Sequence, residues 1–498
     1  MNNKGGIPMK RTLSILLALM LLTCCAGAAA EVKVNVPADY AWPAIGTADS
    51  PVEIKVVIKD YYADSNENIE LFSRISAAMA AHGQYVKLTL IDPPVGTYAS
   101  TLPLLVRNGD CEADLIYFQG GDQSIADEGL LVDLTPYVKN SYFVKNLMNP
   151  VNTQRTKNYP YLLWLAATVS PVPQIRKDWA AKLTTYPALM ENPTVENWHA
   201  LMTELKQSGL CQSVITMTGD LARIDTIFNH AFGITSTVMK EGDRWIFSQA
   251  SQGTKEKLAF YAQLYKEGII DSEWVTDKWN TMEQKFYTGT TAIISGNPGG
   301  SVQTYDIKTR AANGEQAQLT SLPPASGVSQ GYTSIDTTKE SRGFGINVDC
   351  KNYDAAFAVL EFMASPEGRV LDQLGVEGIN FYTEDDTVYF VDGENSFYAR
   401  FWSTKEKFPA EVKLSVPLFT EAAQESMDIM NKYMMLDTNI IIPDSMAANW
   451  DAMINLYKEY STDIVNGTKD ISAFDEFLAK WNAAGGDLFA DYLAGIME

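Results

Sequence analysis

Hydrophobic and polar positions alternate with two different periods along the first quarter of the chain. Val52-Glu53-Ile54-Lys55-Val56-Val57-Ile58 places apolar residues at every second position, the period of a strand with a buried face. Over 65–82 the period lengthens to that of a helix, with Ile69, Phe72, Ile75 and Met79 assigned to one face and Gly83 as the stop. Residues 85–91 read as a second strand and 101–108 as a short helix with Pro103 in its first turn. Ala113-Asp114-Leu115-Ile116-Tyr117-Phe118 reads as a third strand. Strand, helix, strand, helix, strand predicts a parallel sheet, because parallel neighbours need crossover connections.

Ligands of such sheets gather beyond the carboxyl ends of the strands. Those ends are Lys59-Asp60-Tyr61-Tyr62-Ala63-Asp64, Asp92-Pro93-Pro94-Val95-Gly96 and Gln119-Gly120-Gly121-Asp122. Beyond residue 150 the pattern becomes helix-rich α/β. An extended stretch over 172–176 precedes helices over 178–183, 193–208, 254–267 and 281–287. Thr290-Thr291-Ala292-Ile293-Ile294-Ser295 reads as a strand running into Gly296-Asn297-Pro298-Gly299-Gly300. Residues 309–341 are rich in Gly, Pro, Ser and Thr and read as a loop region. The elements from 172 up to about residue 300 fit a second α/β lobe, and a strand over 343–348 with helices over 353–364, 365–374, 421–434, 446–466 and 472–484 follows the loop region.

The amino terminus is of another kind. Lys10 and Arg11 precede an apolar run over 13–22, followed by Thr23-Cys24-Cys25-Ala26-Gly27-Ala28-Ala29-Ala30, the order of an export signal. The run is about half of the roughly 20 residues a membrane-spanning helix needs. Two processing routes stay open. Leu21-Leu22-Thr23-Cys24 or Leu22-Thr23-Cys24-Cys25 resembles a lipobox, which would put lipid on Cys24 or Cys25, and Ala28-Ala29-Ala30 offers an ordinary cut. Residues 31–51, with three prolines, read as a tether.

Composition narrows the function classes. With 61 Asp+Glu against 39 Lys+Arg the formal charge is −22, which disfavours nucleic acid and anionic membrane surfaces as partners. Loss of residues 1–30 removes Lys4, Lys10 and Arg11 and no carboxylate, leaving 36 bases against 61 acids and a charge of −25. Only Cys111, Cys211 and Cys350 remain beyond the signal, so buried thiols are expected rather than a disulfide scaffold. No CxxC or His/Cys cluster suggests a metal.

Several segments together resemble the extracellular solute-binding proteins of bacterial ABC importers, in the group that carries sugars. They are Ala113-Asp114-Leu115-Ile116-Tyr117 with Glu128-Gly129-Leu130-Leu131-Val132-Asp133-Leu134-Thr135-Pro136-Tyr137, and Ile175-Arg176-Lys177-Asp178-Trp179 with Pro193-Thr194 and Trp198. Phe286-Tyr287-Thr288-Gly289-Thr290-Thr291-Ala292 continues the likeness, as do Gly345-Ile346-Asn347, Ser365-Pro366-Glu367-Gly368, Gly375-Val376-Glu377-Gly378 and Gly467-Thr468-Lys469-Asp470-Ile471. Tyr159-Pro160-Tyr161-Leu162-Leu163-Trp164 departs from the Asp-Gly-Lys-x-Tyr-Gly-x-Pro run usual there.

The resemblance implies a type II periplasmic-binding-protein fold, two α/β lobes with a hinged ligand cleft. The expected division is 52–165 plus about 343–380 for the first lobe, and about 175–335 plus about 385–498 for the second. It further implies an exported monomer in the cell envelope or outside the cell, held to the outer face of the cytoplasmic membrane where a lipid is attached. A carbohydrate, expected to be an oligosaccharide, would be its ligand and an ABC permease its partner. No cofactor is implied.

Sugar recognition needs aromatic faces for the CH side of a ring and carboxylates or amides for its hydroxyls. Tyr61, Tyr62 and Asp64 at one strand end and Gly120, Gly121 and Asp122 at another suit this, though ordinary turns would use the same residues. Trp164 lies near a crossing, where a buried hinge tryptophan is the plainer role. Asn297 and Glu377 are assigned to the cleft by the resemblance. Trp179, Trp198, Trp450 and Trp481 fall in apolar helical patterns and belong to cores.

Catalytic patterns fare less well. Gly327-Val328-Ser329-Gln330-Gly331 spells GxSxG, but that motif works between an apolar strand and a helix, and Pro323-Pro324 precedes it here. Asp64-Ser65-Asn66-Glu67-Asn68 begins like a calcium loop, yet Ile69 and Ile75 stand where Gly and Glu are required. Gly343-Phe344-Gly345 lacks the third glycine of a dinucleotide loop. His82, His199 and His230 share no metal spacing. A binding protein is therefore favoured over an enzyme. The rivals are a secreted glycoside hydrolase using paired carboxylates, a receptor for a non-sugar solute such as a peptide, and a scaffold without a ligand.

Overall fold

The computed structural model of the chain describes residues 40–120, 122–147, 159–163, 170–334, 342–397, 399, 401, 411–437, 440 and 442–497. The first lobe opens with β1 (Val52–Val57), α1 (Asn66–Ala81), β2 (Val86–Ile91), α2 (Tyr98–Arg107) and β3 (Leu115–Gln119). β1 pairs in parallel with β2 on one side and with β3 on the other, as the alternating pattern predicts. Ser65 caps α1 by accepting from Asn68 N. The buried stripe of α1 is Asn68, Leu71, Phe72, Ile75 and Met79, while Ile69 is 54% exposed. Ile69 was expected on that stripe, but at 100° per residue it points roughly 100° away from its centre.

α2 begins at Tyr98, so Pro103 is its sixth residue and lies inside the helix instead of in its first turn. The Tyr98 side chain is buried and its hydroxyl donates to Tyr117 O at 2.6 Å, anchoring the extra turn to β3. β1 and β3 send alternate residues to two cores. Ile54, Val56 and Leu115 pack with the α1 stripe, whereas Val57, Ile116 and Phe118 pack with Tyr98, Leu102 and Val106 of α2.

The second lobe holds β4 (Val172–Arg176), β5 (Ser213–Ile215), α3 (Ala222–Phe228), the hairpin β6 (Val238–Glu241) and β7 (Arg244–Phe247), α4 (Trp279–Tyr287), β8 (Thr291–Gly296), α5 (Gly300–Asn313) and β9 (Leu319–Ser321). Its sheet order is β5-β8-β4-β9. The end of α5, residues 309–313, and β9 fall within the stretch 309–341 expected to be loop. Trp179, Trp198 and Trp481 are buried in the core of this lobe, and Trp450 packs against it.

The chain then passes through β10 (Tyr332–Ser334) to β11 (Arg342–Ile346), which returns to the first sheet antiparallel to β3. Helices α6 (Tyr353–Ala364) and α7 (Pro366–Leu374) follow, then a small sheet of β12 (Phe381–Glu384), β13 (Thr387–Phe390) and β14 (Lys413–Leu414). Phe397 and Phe401 pack into the first-lobe core. Helix α7 is capped by Ser365, whose side chain accepts from Gly368 N, and carries Pro366 at its start. Helix α8 (Glu421–Tyr433) leads into β15 (Met434–Leu436), which pairs with β10. Val172, Tyr332 and Met430 form a small core where these segments meet, and Ser170 Oγ donates to Thr333 O at 2.6 Å.

Strand pairing locates the cleft. Gln119, at the carboxyl end of β3, lies opposite Arg342, where the chain has just arrived in the first lobe. Gly296, at the carboxyl end of β8, lies opposite Val172, where it has just arrived in the second. Both sheets therefore turn the carboxyl ends of their parallel strands toward the side on which the chain passes between the lobes.

Candidate functional site

On the first lobe, the loop after β1 is set by Asp60, which adopts a φ of +64° and reverses the chain. Ala63 N donates to Asp92 Oδ1 at 2.7 Å, joining the loops after β1 and β2. Tyr62 is 51% exposed, and its carbonyl accepts from Asn68 Nδ2 of α1 at 3.1 Å, so the backbone is held while the ring stands in solvent. Asp64 is also exposed. Tyr61 turns the other way: it packs on the first-lobe core and its hydroxyl donates to Ala399 O at 3.3 Å.

At the end of β3, Gly120 has a φ of +110°, a conformation that favours glycine. Asp122 is buried and accepts from the Tyr159 hydroxyl at 2.5 Å, which engages that carboxylate with the segment leading out of the lobe. Gly121 and Trp164 lie outside the described residues, as do Cys24 and Cys25.

The second lobe contributes a platform that sequence reasoning missed. Arg223, in the first turn of α3, donates from Nη1 to Ser295 O at 2.9 Å, and Ser295 Oγ donates back to Arg223 O at 3.0 Å. The guanidinium carbon sits 4.4 Å from the ring centroid of Trp279, a cation–π contact. Burial pulls the Arg223 pKa below its ordinary value. Trp279 opens α4, the helix preceding β8, so it lies level with the carboxyl end of that strand. Its Nε1 donates to Glu283 Oε1 at 2.8 Å and the ring is 42% exposed. Thr226 of α3 donates to Pro171 O at 2.7 Å, stitching this platform to the first crossing.

Asn297 is exposed immediately after β8, and its carbonyl accepts from Val302 N at 3.2 Å to start α5. Gly296 is forced by packing, since a Cβ there would lie 2.6 Å from the Tyr305 ring. Tyr62, Asp64, Gly120 and Asn297 thus stand at the facing strand ends. Glu377 does not join them: its carbonyl accepts from Arg74 Nη2 at 2.9 Å, two turns into α1. The Arg223–Trp279 pair carried no local signal, because in sequence Trp279 merely precedes an amphipathic stretch.

The serine of the GxSxG run lies in a loop, as its flanking prolines suggest. Ser329 Oγ is 3.1 Å from Nδ1 of the buried His230, whose Nε2 is 2.9 Å from Thr333 Oγ1. No carboxylate completes a triad among these contacts. His82 and His199 each meet a glutamate, Glu367 and Glu267, at 2.6 Å. Among the described residues no group of His, Cys, Asp and Glu is arranged to hold a metal. Cys111, Cys211 and Cys350 are free thiols, and burial pushes Cys211 up to about 11 and Cys350 to about 12, away from the reactive thiolate. No helix among the described residues is long and apolar enough to cross a membrane.

A family model described as bacterial extracellular solute-binding protein matches residues 73–379. None of the curated proteins matches the chain by sequence. Among solved structures, the N-glycan transport solute-binding protein NgtS of Streptococcus pneumoniae is 15% identical, with a TM-score of 0.65 over 89% of this chain and 96% of that one. An HMO-binding, ABC-transporter-associated solute-binding protein of Bifidobacterium longum infantis is 15% identical, with a TM-score of 0.62 over 89% and 97%. The alginate-binding protein AlgQ2 is 17% identical, with a TM-score of 0.60 over 90% and 98%. At these identities the likeness establishes the fold.

Proposed function

The chain belongs to the bacterial extracellular solute-binding proteins, and from that membership we propose that it captures an oligosaccharide between its lobes and delivers it unchanged to an ABC permease. The observation that carries this reading is the Arg223–Trp279 platform at the second-lobe strand ends. An indole presented flat on an anchored guanidinium suits the CH face of a pyranose. On the facing lobe, Tyr62 adds a second exposed ring, and Asp64 adds acceptors for hydroxyls. The similar solved structures, proteins named for alginate, HMO and N-glycan binding or transport, support the same ligand class.

Hinge closure follows from the construction. Ligand contacts divided between two lobes are all made only when the lobes approach, so binding favours the closed form by the difference in contacts. The permease then distinguishes loaded from empty protein by shape. Nothing in this sequence of events requires bond breaking, and the Ser329–His230 contact is used in packing beneath β10. The protein acts outside the cytoplasmic membrane, tethered through Cys24 or Cys25 if the lipobox is processed and released if the cut falls after Ala30.

Calorimetric titration of the mature chain against a panel of neutral and acidic glycans, with intrinsic fluorescence in parallel, tests the reading. The expected result is saturable binding of at least one oligosaccharide without its cleavage. Cleavage products would move the protein to the hydrolases. Tight binding of a peptide with no glycan bound would move it to another solute class.

A further inference from the structure

Strands β12 and β13 form a hairpin whose turn residues, Asp385 and Asp386, both have positive φ, at 47° and 59°. Its inner face buries Phe381, Val388 and Phe390 against Val370 and Leu374 of α7. On the outer face Tyr382 is paired with Tyr389 across the strands, and their rings lie nearly parallel, 5.4 Å between centroids and 12° between planes. Tyr382 is 45% exposed and belongs to the edge strand of the sheet. One face of its ring meets Tyr389, and among the described residues no further strand pairs beyond that edge.

Contacts at the base of the hairpin and just beyond it tie it to α1 and α5. Asn380 pairs with Val391, whose N donates to Asn380 O at 3.0 Å, so by strand alternation Asn380, Tyr382, Tyr389 and Val391 share a face. On that face Asn380 Nδ2 donates to Glu67 Oε1 at 3.0 Å in the first turn of α1, next to the loop that presents Tyr62. Beyond the hairpin, Asn395 O accepts from Gln303 Nε2 of α5 at 2.7 Å, and Glu394 pairs with Arg310 of the same helix. Glu377 O meets Arg74 and Asn380 meets Glu67, so the chain runs toward the amino end of α1 as it enters the hairpin and carries Tyr382 toward the loop that presents Tyr62, while the segment leaving the hairpin is tied to α5.

We propose that Tyr382 and Tyr389 are an outer subsite that stacks a distal sugar residue of the oligosaccharide whose inner residues lie in the cleft. This deepens the reading of the preceding subsection and rests on it. One open ring face fits a single pyranose, whereas a protein partner would need about 800 Å² of contact. Glu384 shares the face and offers acceptors to hydroxyls, and with Asp385 and Asp386 at the tip it disfavours anionic sugars. The ligand is thus a neutral glycan long enough to leave the cleft.

Titrations with gluco-, manno-, xylo- and fructo-oligosaccharide ladders, from disaccharide to hexasaccharide, test this on the wild type and on Tyr382→Ala, Tyr382→Phe and Trp279→Ala. For the ladder that binds, Tyr382→Ala is expected to weaken the long members roughly tenfold and leave the shortest unchanged. Tyr382→Phe should behave as wild type, and Trp279→Ala should weaken every length. Thermal melts equal to wild type establish that Tyr382→Ala is folded. Equal affinity of Tyr382→Ala and wild type at every length, or equal loss at every length, overturns the subsite while leaving the cleft reading intact. Failure of the wild type to bind any ladder overturns both.

Discussion

Arg223 lies 4.4 Å beneath the ring of Trp279 while its other side is fixed to the end of β8 through Ser295 O. The arrangement fixes an aromatic plane at the mouth of the second lobe without burying it. Trp279→Ala is expected to weaken glycan binding by about 1–2 kcal/mol, roughly tenfold or somewhat more. Because the residue is 42% exposed and lies outside the lobe cores, the melting temperature should move little. Calorimetry and a thermal melt on the same preparation separate the two effects.

Arg223→Lys makes the complementary test. Lysine keeps the charge but loses the planar group that stacks on the indole and donates to Ser295 O. Affinity should fall nearly as far as in Trp279→Ala. If charge alone mattered, the lysine variant would bind like wild type.

How far the chain can be read without its structure follows from the range of each interaction. The opening strands and helices are local: Ser65 and Ser365 cap the helices they precede, two-residue periodicity marks β1, and a short continuous apolar run marks β3. Ile69 was misassigned because a run of apolar residues fixes a helix face only to within one spoke of the wheel. Residues 332–334 and 434–436 pair across a hundred positions, so no local pattern could show that they share a sheet. Trp279 is a site candidate only because α4 ends at β8, and β8 lies beside the crossing strand β4. Glu377, assigned to the cleft by resemblance, meets Arg74 through its carbonyl instead.

Glu361 of α6 is buried and accepts from Tyr142 N, Phe143 N and Val144 N at 2.6–2.9 Å, with the Tyr40 hydroxyl at 3.3 Å. It caps the short helix Phe143–Leu147 and ties it to residue 40. Glu361→Ala leaves three amides without their acceptor and should cost about 3 kcal/mol or more in urea unfolding. Glu361→Gln retains one acceptor oxygen and should cost less.

His230 packs beneath β10 through Ser329 and Thr333, and burial holds its pKa below the ordinary histidine value. Burial disfavours the charged ring, so the neutral form is the one the fold favours. A histidine pKa depressed by folding means that the unfolded chain takes up the proton first as pH falls. Stability should therefore be full above about pH 6.5 and decline below it. His230→Asn should be less stable at neutral pH and show a flatter acid limb between pH 7 and 5 in chemical unfolding. An unchanged slope would remove His230 from the acid response. Gly331→Ala should perturb the same contacts, since its Cβ would lie 2.9 Å from the His230 ring and 3.1 Å from Met435 Sδ.

Gln303 closes the last crossing. Its Nε2 donates to Asn395 O at 2.7 Å and Leu418 O at 3.0 Å, and its Oε1 accepts from Thr420 N at 2.8 Å, so every arm of the amide is used. Gln303→Leu matches the volume but strands three backbone groups, for an expected loss of about 2–4 kcal/mol. Gln303→Glu keeps the acceptor for Thr420 and sets a second carboxylate oxygen against two carbonyls, so it should be no better than leucine near neutral pH and recover as the carboxyl protonates. Unfolding curves of both variants from pH 7 to 4 distinguish the cases. If the glutamate variant equals wild type at pH 7, the two carbonyls do not need their donor and Gln303 does not hold the crossing.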